Sequence, residues 1–323
     1  MTAFVVTAAL VWWIARRSDV FYVVGLDGPA SALVGPLLPA LAAGVTGALV
    51  LSLLEAAAGR LAGVVGALTL VLLPAFVEVH RESVRGPPLL AVMLFMIAVM
   101  VHAPRFSFAY GGLAAVMAVF ISPTAIGLPI AAGIWTVLHA QRRGRRRWRR
   151  VALALAPLAV AIAVLPWVGT DAWPSGVSLG WRGHIDGALG AIGRVLGDHL
   201  APGVKAGGLR WLIVADMTLI VIALLAVSWR RSIRQMTPSR TARQLFEALG
   251  ITAACLAAGM IARSLLVRGA PDPVVAEVFP LVVILSVMVV LGMTLSWPWW
   301  TRAGKLISLA LALGWAGASL ILR

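Results

Sequence analysis

The chain has little of what a water-facing surface requires. Charged residues occupy only 12% of its 323 positions, about half of the roughly 25% found in ordinary soluble domains. A single cysteine, Cys255, excludes an intrachain disulfide and a cysteine-based metal site. The five histidines, at positions 80, 102, 139, 184 and 199, are scattered and lack metal-ligand spacing. There is no P-loop, no HExxH helix and no nucleophile elbow. The soluble-enzyme chemistries that carry short signatures are therefore set aside, and neither a metal nor a cofactor is expected.

What the chain has in quantity is apolar length. Hydrophobic residues make up 61% of it, and its mean hydropathy is +0.97. A membrane-crossing helix needs about 20 mainly apolar residues. Runs of that character lie near 2–15, 31–54, 61–79, 88–103, 106–121, 124–140, 151–168, 209–228, 245–266, 274–296 and 305–322. The expectation is an all-α membrane protein, a single polytopic domain over 1–323 with about eleven transmembrane helices. The first run is short and starts at Met1 without a basic leader or a small-residue cleavage site, so it reads as a retained helix. The stretch from Phe106 to Ala140 is too long for one crossing. Ser122-Pro123-Thr124 interrupts it, because proline removes a backbone donor and disfavours helix in the residue before it.

Charge placement orients the chain. The net charge of +15 and the isoelectric point near 11.8 would suggest nucleic acid in a soluble protein. Here the arginines cluster in connections between apolar runs, and no nucleic-acid partner is expected. Arg142, Arg143, Arg145, Arg146, Arg147, Arg149 and Arg150 form one cluster, and Arg230, Arg231, Arg234, Arg240 and Arg243 another. Two spans separate them, so the positive-inside rule puts both on the cytoplasmic side. Counting outward places the N-terminus inside and the C-terminus outside an integral cytoplasmic (inner) membrane. Asp19, Asp27, Glu78, Glu82, Asp171, Asp186, Asp198, Asp272 and Glu277 then fall on or near the outer side, nine of the twelve acids.

The longest outer segment is 169–208. In it Ile185, Leu189, Ile192, Leu196 and Leu200 recur at helical spacing, which predicts a helix lying in the membrane interface. Trp167, Trp173 and Trp181 flank it as interfacial anchors.

Two ionisable residues sit inside apolar runs, where charge is costly and usually paired. Asp216 and Arg263 lie at similar depths of neighbouring runs, so an intramembrane ion pair is expected. The densest polar constellation is the outer turn Glu78-Val79-His80-Arg81-Glu82-Ser83-Val84-Arg85. An acid there suits activation of a hydroxyl, and arginines suit a lipid-linked phosphate. A solvated, charge-balanced turn is the plain alternative.

Across this region the sequence carries Gly59-Arg60, Leu73-Pro74-Ala75-Phe76-Val77, His80-Arg81, Tyr110-Gly111-Gly112-Leu113, Ser122-Pro123-Thr124-Ala125 and Leu128-Pro129. In that order the pieces resemble the multispanning glycosyltransferases of the GT-C type, in particular the bacterial family-39-like sugar transferases. The resemblance covers about residues 31 to 140, and departs from the family in its short outer loop 16–30 and in Ser122, where a lysine is common. It implies transfer of a sugar from a polyprenyl-phosphate donor to an envelope acceptor on the outer face. Asp19 or Asp27 would act as general base, with Glu78 and Glu82 as further candidate catalytic acids. Arg81 and Arg85, with His80, would hold the lipid phosphate. Membrane lipids and the polyprenyl-phosphate-linked sugar are the partners implied. The alternatives are a small-solute or lipid transporter, since many short spans suit that class, and a non-catalytic membrane partner of an envelope assembly.

Overall fold

A computed structural model of the chain describes residues 37–73, 76, 79–80, 85–103, 107–140, 147–164, 240–266 and 273–296. Every element among them is helical. They are α1 (Leu37–Ala58), α2 (Arg60–Leu72), α3 (Gly86–His102), α4 (Gly112–Ile121), α5 (Gly127–Ala140), α6 (Arg147–Val164), α7 (Arg240–Leu266) and α8 (Pro273–Ser296). A π-helical turn, Ser107–Gly111, leads into α4, and a 3-10 turn, Pro123–Ile126, leads into α5. Eight of the apolar runs read from the sequence fall on these helices. The runs 2–15, 209–228 and 305–322 and the segment 169–208 lie outside the described residues.

Among the described residues, two helices are long and apolar enough to cross a membrane by length and composition, over Ala40–Ala58 and Arg240–Arg263. The apolar stretches of the other helices are shorter, Val274–Val289 in α8 among them. The 13 residues of α2 reach only about 20 Å at 1.5 Å per residue, against a hydrocarbon core of about 30 Å.

The helix ends have local causes. The run 61–79 is not one helix, because Leu73 takes an extended conformation, φ −66° and ψ 134°. Pro74 follows it, and the proline ring disfavours helical geometry in the preceding residue. The same rule acts at Ser122, φ −146° and ψ 122°, immediately before Pro123. Pro87 costs α3 nothing, since it sits in the first turn, where backbone N–H groups have no helical acceptor.

The chain divides into two compact units, each described by itself. In the first, α2 folds back along α1 around Gly59, whose φ of 91° is open to glycine and strained for other residues. The return is close. A Cβ built on Gly63 would lie 2.9 Å from the Glu55 backbone nitrogen, and one on Gly66 would overlap the Leu54 side chain. Leu53, Leu54, Leu70, Leu73 and Phe76 are buried there.

In the second unit α4 packs against α3, α5 and α6. A Cβ on Gly112 would meet the Pro157 ring of α6 at 2.5 Å. Leu89, Leu90, Met93, Leu94, Met96, Ile97 and Trp135 form the buried interior. The residues facing away from it are also apolar. Tyr110, Leu113, Met117 and Phe120 form one exposed stripe at helical spacing, and Ile130, Ile134 and Leu138 form another. A helix apolar on its buried and exposed faces alike lacks the polar side that a water-facing helix carries.

Candidate functional site

Of the residues nominated in the turn 78–85, the structure describes His80 and Arg85. Asp19, Asp27, Glu78, Arg81 and Glu82 lie outside the described residues, as does Asp216. The two that are described have opposite environments.

His80 is 1% exposed. Its Nδ1 lies 2.7 Å from the Phe76 carbonyl oxygen. A carbonyl only accepts, so Nδ1 carries the proton and donates. The ring also lies against Phe76, centroids 4.2 Å apart. Burial pushes the imidazole down to about 4, with the hydrogen bond to the Phe76 carbonyl opposing the shift. His80 is thus neutral at physiological pH, and its Nε2 offers a lone pair instead of a positive charge. Such a nitrogen does not attract a phosphate oxygen.

Arg85 is exposed, directly before the first turn of α3. Its carbonyl accepts a hydrogen bond from the Leu89 backbone N–H at 3.2 Å, so its backbone is bound into the helix start. The positive end of the helix dipole and an exposed arginine thus belong to one helix start, residue types suited to an anion. Chemically, the described part of the turn offers one exposed cation and one buried neutral imidazole.

The break between α4 and α5 holds two buried hydroxyls. Ser122 Oγ and Thr124 Oγ1 are 2.8 Å apart and share a hydrogen bond. The Ala125 backbone N–H donates to the Ser122 carbonyl at 2.9 Å, closing the turn. A Cβ on Gly259 of α7 would approach the Thr124 carbonyl oxygen to 3.1 Å, and one on Gly127 would approach the Cys255 carbonyl oxygen to 2.5 Å. At this crossing α5 and α7 touch backbone to backbone.

The opposite end of α5 carries a constellation that sequence patterning did not assemble. His139 stacks on Trp135, ring centroids 3.7 Å apart at 25°. Its Nε2 faces Glu247 Oε2 of α7 at 3.7 Å. The signal within α5 was Trp135 and His139 one helical turn apart, a spacing that brings side chains together. Nothing in the sequence pointed to Glu247 as the partner.

Arg263 lies near the end of α7 and Glu277 near the start of α8, on either side of the connection 267–272. Arg263 Nε and Glu277 Oε2 are both buried atoms. Among the described residues no group of three or more His, Cys, Asp or Glu side chains is arranged to hold a metal ion. Compared with protein-family models, curated proteins and solved structures, the chain matches none.

Proposed function

We propose that the chain is a multi-pass membrane protein of the cell envelope that transfers a sugar from a polyprenyl-phosphate donor to an envelope acceptor on the outer face. The observation that carries this reading is the exposed Arg85 at the mouth of α3, on a scaffold whose outward faces are apolar. Lipid surrounds such a scaffold favourably, and a cation at a helix start is suited to a lipid-borne phosphate. Asp19 or Asp27 removes the proton from the acceptor hydroxyl. The freed oxygen attacks the anomeric carbon, the bond from that carbon to the phosphate oxygen breaks, and polyprenyl phosphate departs. Arg85, with Arg81, balances the charge that gathers on the leaving phosphate. Glu78 and Glu82 are the further carboxylates of the same turn.

A transporter is the second reading. Irregular backbone inside membrane proteins is tolerated where it is buried in protein or lines a pathway, and the turn Pro123–Ile126 with its paired Ser122 and Thr124 hydroxyls is such a segment.

A photo-crosslinkable polyprenyl-phosphate sugar analogue separates the two. The transferase reading expects labelling near position 85 that Arg85→Ala abolishes and Arg85→Lys partly restores, since lysine keeps the charge but loses the guanidinium fork. Equal labelling of the wild type and Arg85→Ala contradicts it.

A further inference from the structure

From Phe106 to Gln141 the chain carries no Asp, Glu, Lys or Arg. The turn Pro123–Ile126 lies in the middle of that stretch. Every other connection assigned to the outer side holds charge: Asp19 and Asp27, Glu78 to Arg85, Asp171 to Asp198, Arg268 and Asp272. The residues facing outward on the two flanks of the turn are apolar, Phe120 at 56% exposed and Ile130 at 38%. The polar groups of the turn are directed inward. Ser122, Thr124 and Ala125 are buried, the two hydroxyls bond each other, and the Ala125 N–H is held by the Ser122 carbonyl. Irregular backbone is tolerated at hydrocarbon depth when protein covers it in this way.

Depth can be measured along α7. Thr124 and Gly127 touch it at Gly259 and Cys255, and His139 meets Glu247 further back, so α5 and α7 run antiparallel. Gly259 stands about two turns short of Leu266, where α7 ends, so α7 continues about 10 Å beyond the break. The length of α5 gives a matching figure. Its 14 residues reach about 21 Å, which falls about 9 Å short of a hydrocarbon core of about 30 Å. The 10 residues of α4 are fewer still. This helix folds back beside α5, since the π-helical turn that precedes it also packs on α5. We propose that α4 and α5 form a re-entrant hairpin, which enters from the cytoplasmic side, turns at Pro123 inside the outer leaflet and returns without reaching the outer surface. Both ends of the hairpin stay on one side, so the orientation expected from the arginine clusters is unchanged. The inference rests on the multi-pass membrane reading and not on sugar transfer.

Spin labels on single cysteines in a Cys255→Ser background, with the full chain in lipid nanodiscs, read immersion depth from collisions with oxygen and with a water-soluble nickel chelate. Phe120→Cys and Ile130→Cys are expected about 10 Å inside the outer hydrocarbon boundary, level with Ala258→Cys at an exposed position of α7. Labels at 120 and 130 that lie at the boundary itself overturn the hairpin. Equal access of the chelate to all three positions overturns the membrane reading, and the hairpin with it. Should a label at 120 or 130 disturb the fold, Met117→Cys and Ile134→Cys, exposed and one turn further from the break, must lie about 15 Å deep, near the midplane. A depth of about 5 Å there contradicts the proposal.

Discussion

Gly127 and Cys255 meet at a distance that no side chain on Gly127 survives. A Cβ there would sit 2.5 Å from the Cys255 carbonyl oxygen and 2.8 Å from its carbonyl carbon. The obstacle is helix backbone, which cannot swing aside as a flexible side chain would. Gly127→Ala is therefore expected to lower stability by about 1–3 kcal/mol, the range of forced overpacking. Gly250, on the same helix as Cys255, has nothing within 4 Å of an added Cβ. Gly250→Ala should instead stabilise, by up to about 1 kcal/mol through helix propensity. Thermal unfolding in detergent measures both. Similar shifts for the two variants would mean that α5 and α7 do not touch at Gly127.

His80 makes stability depend on pH with a defined sign. Its folded value of about 4 lies below the ordinary histidine value of 6.5. An opened chain therefore binds a proton in that window that the folded chain refuses. The stabilisation is complete above about pH 6.5 and is lost as pH falls toward about 4, by up to roughly 3 kcal/mol. His80→Phe, which keeps a ring beside Phe76 and cannot titrate, should remove that part of the acid-side loss. Unfolding midpoints of the two proteins from pH 7.5 to 4.5 test this, and parallel profiles would contradict the burial of His80.

Arg263 has two candidate carboxylates. Asp216 matches its depth in the sequence, and Glu277 sits across the α7–α8 connection with a buried carboxylate oxygen. Removing one member of a desolvated pair costs about 3–5 kcal/mol, whereas removing both costs less. Double-mutant cycles of Arg263→Ala with Asp216→Ala and with Glu277→Ala identify the partner as the cycle with large coupling. Additive losses in both would show that neither carboxylate pairs with it.

The arginine clusters predict an orientation, by the positive-inside rule, that labelling checks. In a Cys255→Ser background, cysteine at position 145 should be shielded from an impermeant reagent added outside, and cysteine at position 176 should react. The reverse pattern would invert the topology.

What the sequence made legible was governed by local rules. Apolar runs became helices, and Pro123 broke the stretch 106–140 where its chemistry requires. The same rule at Leu73, before Pro74, was hidden because apolar residues continue on both sides of it. His80 read as a member of a charged turn, since neighbouring residues are charged. Its burial depends on the ring of Phe76 one turn earlier and on packing that periodicity does not encode. His139 and Glu247 were invisible as a pair for a related reason. They lie on α5 and α7, far apart in sequence, and the close approaches of Gly127 to Cys255 and of Gly259 to Thr124 bring those helices together.

The most direct measurement of the proposed sugar transfer uses purified protein in nanodiscs with radiolabelled polyprenyl-phosphate sugars and membrane acceptors. Wild type should move label from lipid to acceptor. The Asp19→Asn, Asp27→Asn double variant should lose about 10²–10⁴-fold in rate, the usual worth of a positioned base, while its unfolding midpoint stays unchanged. Full transfer by that variant would contradict the assignment of the base, and no transfer or binding of any polyprenyl-phosphate sugar by the wild type would contradict the transferase reading itself.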